Sequence, residues 1–108
     1  MAHLFSCPYL GASVELTDER EQHITETHPG TLPEYLEQLS ETLAAPDQIR
    51  QSERDGSALL FSKWFDTIRT GRHLVVVVVS ETEPLRHWVI TVYTARKIVG
   101  GNVVWTKS

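Results

Sequence analysis

The chain holds a single cysteine, Cys7, so no disulfide can form within it. Without a C-x-x-C pair, neither a redox role nor a zinc site is expected of that thiol. A long apolar run is also missing. The longest, Leu74 to Val79, falls far short of the roughly 20 residues that a membrane-spanning helix needs. The first ten residues carry neither a basic region nor an apolar stretch of signal-peptide length. Nor is there a cationic excess. The formal net charge is −4, whereas a broad grip on nucleic acid needs many cations on one face. These absences predict a soluble, cytoplasmic protein with no membrane attachment, no cofactor and no metal centre.

What is present is a hydrophobic content of 41% over 108 residues, enough for one domain with its own core. No repeat, low-complexity stretch or long linker divides the chain. Residues 1–12, with Pro8 and Gly11, read as a loose lead-in, and residues 13–108 as a single domain. Charge is segregated within it. Between Glu15 and Glu41 stand eight acids against Arg20 alone, while from Arg86 onward there are four cations and no acid. An anion site therefore belongs to the C-terminal half.

The periodicity changes along the chain. Ser13 to Leu16 reads as a short strand. Asp18 with Glu21 opens a helix as a capping box, and Pro29-Gly30 ends it near His28. Thr31 with Glu34 reads as a second capping box, followed by Leu32, Tyr35, Leu36, Leu39 and Leu43 at helical spacing up to Pro46. Strands follow: Gln48 to Ser52 as an edge, Ala58 to Phe65, the valine-rich His73 to Ser80 as the central strand, His87 to Ala95, and a short Val103 to Trp105. Helices first and strands second predict an α+β domain, with two N-terminal helices packed on an antiparallel sheet of about four to five strands.

The segment His87 to Gly101 carries the most chemistry. Strict alternation places Trp88, Ile90 and Val92 on one face and His87, Val89, Thr91 and Tyr93 on the other. The strand runs into Arg96-Lys97. Hydroxyls beside paired cations suit a phosphate, although a solvated strand end accounts for the same residues. Lys63 on a neighbouring strand adds a cation to this surface. His23 and His28 supply imidazoles, the side chains best suited to proton transfer near neutrality. Five residues apart on a helix is about 140° of rotation, so they do not share a face and do not form a two-histidine metal site. The plainer reading makes His28 a helix end and His23 a surface residue.

Several segments resemble the phage and mobile-element proteins of the barnase/EndoU/colicin/RelE-like (BECR) nuclease family. They are V-E-L-T-D-E-R at Val14 to Arg20, H-I-T-E-T-H-P at His23 to Pro29, T-L-A-A-P-D-Q-I-R-Q-S at Thr42 to Ser52, H-L-V-V-V-V-V at His73 to Val79, and I-T-V-Y-T-A-R-K-I at Ile90 to Ile98. The resemblance implies a small metal-independent RNase or toxin-like domain. His28, His23, Tyr93, Thr91 and Arg96 would then be catalytic, and Lys97, Lys63, Arg50 and Ser52 would bind substrate. It implies RNA as a partner and an immunity or antitoxin protein as another, with a homodimer also open. Thr27 and Gly30 flank His28-Pro29, where relatives carry a basic residue and an acid. That departure opens an alternative: a catalytically inactive binding module or a partner-binding accessory protein.

Overall fold

The structure, a computed structural model, describes residues 2–107. The chain runs β1 (His3–Cys7), β2 (Ala12–Leu16), α1 (Asp18–Thr27), α2 (Leu36–Ala44), β3 (Gln48–Gln51), β4 (Ala58–Phe65), β5 (Arg72–Thr82), β6 (Leu85–Ala95) and β7 (Asn102–Thr106). All seven strands join one sheet in the order β1-β2-β6-β5-β4-β3-β7. This corrects the expected architecture of two helices on an antiparallel sheet of four to five strands. The sheet is larger, it is mixed because β2 runs parallel to β6, and the two helices are short.

Two sequence segments account for the difference. Residues 3–7, expected as lead-in, pair with β2 in a hairpin from His3↔Leu16 to Cys7↔Ala12. Alternation explains this strand: Phe5 and Cys7 are buried while Leu4 and Ser6 are exposed. At the other end β7 pairs outside β3, so β3 is an interior strand and not the edge. β5 occupies the centre of the sheet, as its run of valines predicts.

The helices begin differently from the capping-box reading. Thr17 is the N-cap of α1, its hydroxyl accepting from the Arg20 N–H at 3.1 Å, and Asp18, Glu19 and Glu21 place negative charge against the positive end of the helix dipole. α2 starts at Leu36, after a turn through residues 31–35, with no side-chain cap. Its Leu39 and Leu43 are fully buried. α2 lies across β1, β4 and β5, and one core joins both helices to that face of the sheet through Ile24, Leu39, Phe61 and Val76.

β6 carries a bulge that reverses part of the face assignment. Val77 pairs with Thr91 and Val78 with Val89, so Ile90 is an extra residue without a partner on β5. Val89 and Val92 are therefore both core residues, and His87 is buried beside Ser80. Trp88, expected on the core face, lies instead on the opposite face with Thr91 and Tyr93, where Arg86 stacks 4.8 Å from its ring centroid. Strict alternation fails here because it has no place for an inserted residue.

The face opposite the helices, the outer face, is not bare. From β6 to β7 the chain must pass β5, β4 and β3, and the strap of residues 96–101 makes that crossing. Arg50 on β3 holds it, donating from Nη1 to the Gly100 carbonyl at 3.0 Å. Gly101 presses so closely on β3 that a Cβ there would stand 2.7 Å from the Gln51 carbonyl oxygen. Val75 and Ser62, on the outer face, are only 1% and 3% exposed.

Candidate functional site on the outer face

β2 meets β6 at Glu15↔Trp88, reinforced by an ion pair between Arg86 and Glu15. Beyond that point β6 is flanked by α1. Ile24 of α1 enters the core, while His28, at its C-terminal end, reaches round to the outer face. There its ring stands 5.9 Å from that of Tyr93, the planes inclined at 35°. Local sequence explains the placement. The His28 backbone N–H closes the last turn on the Ile24 carbonyl, and Pro29-Gly30, with Gly30 at φ +84°, turns the chain away. The imidazole is left half-buried against the sheet.

Tyr93 is the second wall of a larger space. A cleft of about 430 Å³ lies between the outer face and the strap. Leu60 and Tyr93 on the sheet and Val99 on the strap line it, with Ser52, Glu53 and Arg54 of the β3–β4 turn at its rim. Burial pushes the Tyr93 phenol above its ordinary pKa. The hydroxyl is therefore neutral at physiological pH and can donate a hydrogen bond.

The residues singled out from sequence divide by face. His28, Thr91, Tyr93, Arg50 and Ser52 fall on the outer face or at its rim. Two of these have structural tasks as well. Arg50 fastens the strap, and the Ser52 hydroxyl accepts from the Arg54 and Asp55 N–H groups in the turn. Arg96 and Lys97 are exposed at the start of the strap, and among the described residues neither makes a hydrogen bond or ion pair to Tyr93 or His28.

Two of the residues lie elsewhere. Lys63 pairs with Leu74 on the helix side of the sheet, donates to the Ala45 carbonyl at the end of α2 at 2.9 Å and faces Asp47 at 3.9 Å. It neutralises the negative end of that helix and contributes nothing to the outer face. His23 is exposed on α1 in a separate groove lined by Glu19, Arg20, Gln22 and Glu26.

His73 went unnoticed as a site residue in the sequence. It lies on the outer face two positions from Val75, the partner of Tyr93, with its ring 5.0 Å from that of Trp64 and its Nδ1 buried without a hydrogen-bond partner. The signal was available: counting in twos along β5 from Val75 reaches His73. Arg54 and Val99 were hidden in a turn and a loop, where no periodicity marks a side chain.

No group of three or more His, Cys, Asp or Glu that could hold a metal ion occurs among the described residues. No helix among them is long and apolar enough to cross a membrane. Compared with protein-family models, with curated proteins and with solved structures, the chain matches none.

Proposed function

We propose that this chain is a small ribonuclease-like domain that cleaves single-stranded RNA without a metal, using His28 for proton transfer and Tyr93 to hold the phosphate. The observation that carries this reading is the approach of the His28 ring to Tyr93, from a helix end to a strand, beside an open cleft. The BECR-like motifs at residues 23–29 and 90–98 support it from the sequence.

Few groups are needed. The ribose 2′-oxygen attacks phosphorus and gives its proton to the His28 imidazole. The bond to the 5′-oxygen breaks, and that oxygen takes up a proton, leaving a 2′,3′-cyclic phosphate and a 5′-hydroxyl. His73, the second imidazole on this face, is the group assigned to the leaving oxygen. A neutral Tyr93 hydroxyl donates to a phosphate oxygen, where a phenolate would repel it. Thr91, next to it on the same face, can add a second hydroxyl. Arg96 and Lys97 are the cations assigned to the charge that builds on the phosphate in the transition state.

The test is cleavage of a labelled single-stranded RNA in the presence of a chelator, with analysis of the product ends. Cyclic-phosphate ends from the wild type, lost in His28→Ala and reduced in His73→Ala, are the expected result. Intact RNA rejects the enzyme.

One observation favours a second reading. β7 is an edge strand whose Val103, Val104 and Trp105 are all exposed, and such an edge can pair with another chain, whether an immunity-type protein or a second copy. Sedimentation at increasing concentration tests the homodimer, for which a monomer throughout is the contrary result.

A further inference from the structure

We infer that the cleft beneath the strap is a binding site for a single nucleobase, next to the phosphate position at His28 and Tyr93. The inference rests on the ribonuclease reading for its substrate class, and it adds how the substrate is gripped.

The chemistry of the lining selects the ligand. The floor and walls are Leu60, Val99 and the Tyr93 ring, an apolar and aromatic surface on which a flat heterocycle can stack. The rim offers both kinds of hydrogen-bonding group: Arg54 donates, the Glu53 carboxylate accepts, and the Ser52 hydroxyl keeps its proton to donate because its oxygen already accepts from two backbone N–H groups. A base edge carries donors and acceptors together and matches such a rim. A phosphate does not, because Glu53 would repel it. At about 430 Å³ the cleft has room for one base with its ribose.

The wall is also pre-formed. The strap is pinned by Arg50 on Gly100 and by the close packing of Gly101 on β3, so little ordering is left to be done on binding. Charge points the same way. A net charge of −4 argues against a broad electrostatic grip on a phosphate backbone. Base contact must then supply much of the affinity, and the dependence on salt should be shallow, a slope of about −0.7 per neutralised phosphate in single strands.

The experiment is an NMR titration of the full chain with each of the four ribonucleoside 3′-monophosphates, with inorganic phosphate as the reference probe. Expected are shifts at the amides of Leu60, Val99, Gly100 and Gly101 with nucleotide and not with phosphate. Val99 is 70% exposed, so Val99→Asp should fold normally and weaken nucleotide binding by about tenfold or more, the loss of one stacking surface. Nucleotide shifts at the strap in a protein that fails to cleave RNA support the site and reject the ribonuclease. Cleavage by a protein whose strap does not respond to any nucleotide overturns the site and leaves the ribonuclease standing. Equal shifts with inorganic phosphate, or binding undiminished in Val99→Asp, overturn the site.

Discussion

His28 and Tyr93 stand ring to ring across the border of the sheet, 5.9 Å between centroids, one at the end of α1 and the other on β6. The contact depends on two local events. Pro29 stops the helix where the imidazole can turn inward, and the bulge at Ile90 sets which side of the sheet Tyr93 faces. Were Ile90 paired in regular alternation, Val89 in the core would put Tyr93 toward the helices.

The turn between β4 and β5 is held by a comparable fit. Gly71 has φ +119°, and a Cβ there would lie 2.6 Å from Trp64 Cζ2. Gly71→Ala must strain the backbone and displace the indole. The loss of stability should be about 1–3 kcal/mol, read by denaturant unfolding, with a shift of tryptophan emission in the native protein. A variant as stable as wild type contradicts the fit.

Leu39 is fully buried at the centre of the α2 face. Leu39→Ala should cost about 2–5 kcal/mol, measured by urea titration at constant m-value. A loss under about 1 kcal/mol would mean that α2 packs more loosely on β1, β4 and β5 than the structure describes.

The last strand is tied to the body of the domain through Asp47. Its carboxylate accepts from the Trp64 N–H at 2.8 Å and pairs with Lys107 at 2.9 Å, and its backbone carbonyl accepts from the Lys107 N–H at 3.0 Å. Burial alone would raise the Asp47 pKa. The hydrogen bonds from Lys107 and Trp64 and the charges of Lys107 and Lys63 outweigh it and hold the carboxyl below its ordinary value of 3.8. A depressed folded pKa means that the unfolded chain binds the proton more readily. The stabilisation is therefore fully present above pH 3.8 and is lost as pH falls through the folded pKa. Asp47→Asn should be less stable than wild type at neutral pH, with the gap narrowing in acid. A gap that is constant with pH contradicts the ion pair.

Single elements were legible in the sequence, for identifiable reasons, but the architecture of the sheet was not. β4 was bounded correctly because turn residues punctuate both of its ends, and β5 was placed at the centre, though it runs on to Thr82, because a run of valines suits a strand buried in mid-sheet. Of the expected stripe Leu32, Tyr35, Leu36, Leu39 and Leu43, the two fully buried helical members, Leu39 and Leu43, were legible because a helix repeats its buried face. Leu32 is buried from the preceding turn, and Tyr35 and Leu36 are only partly covered. What was missed has no periodic mark. β1 was hidden because a strand of five residues, followed at once by Pro8, is too short to establish alternation. The bulge at Ile90 was invisible because an inserted apolar residue looks like any other. Lys63 was misplaced because the sequence gives the alternation of β4 but not which face meets the helices. For the site, His28 was legible from Pro29 beside it. The cleft was not, since it is made where a strap passes over a sheet, and strand order decides that crossing.

The central claim is tested most directly by the rate at which purified protein cleaves a single-stranded RNA, measured for wild type and for His28→Ala in the presence of a chelator. The account predicts cleavage by the wild type and a loss of about 10²–10⁴-fold in His28→Ala, with thermal unfolding unchanged because His28 is only half-buried. RNA left intact by the wild type across about pH 5 to 9, the range in which histidine chemistry operates, or cleavage undiminished in His28→Ala, would contradict it.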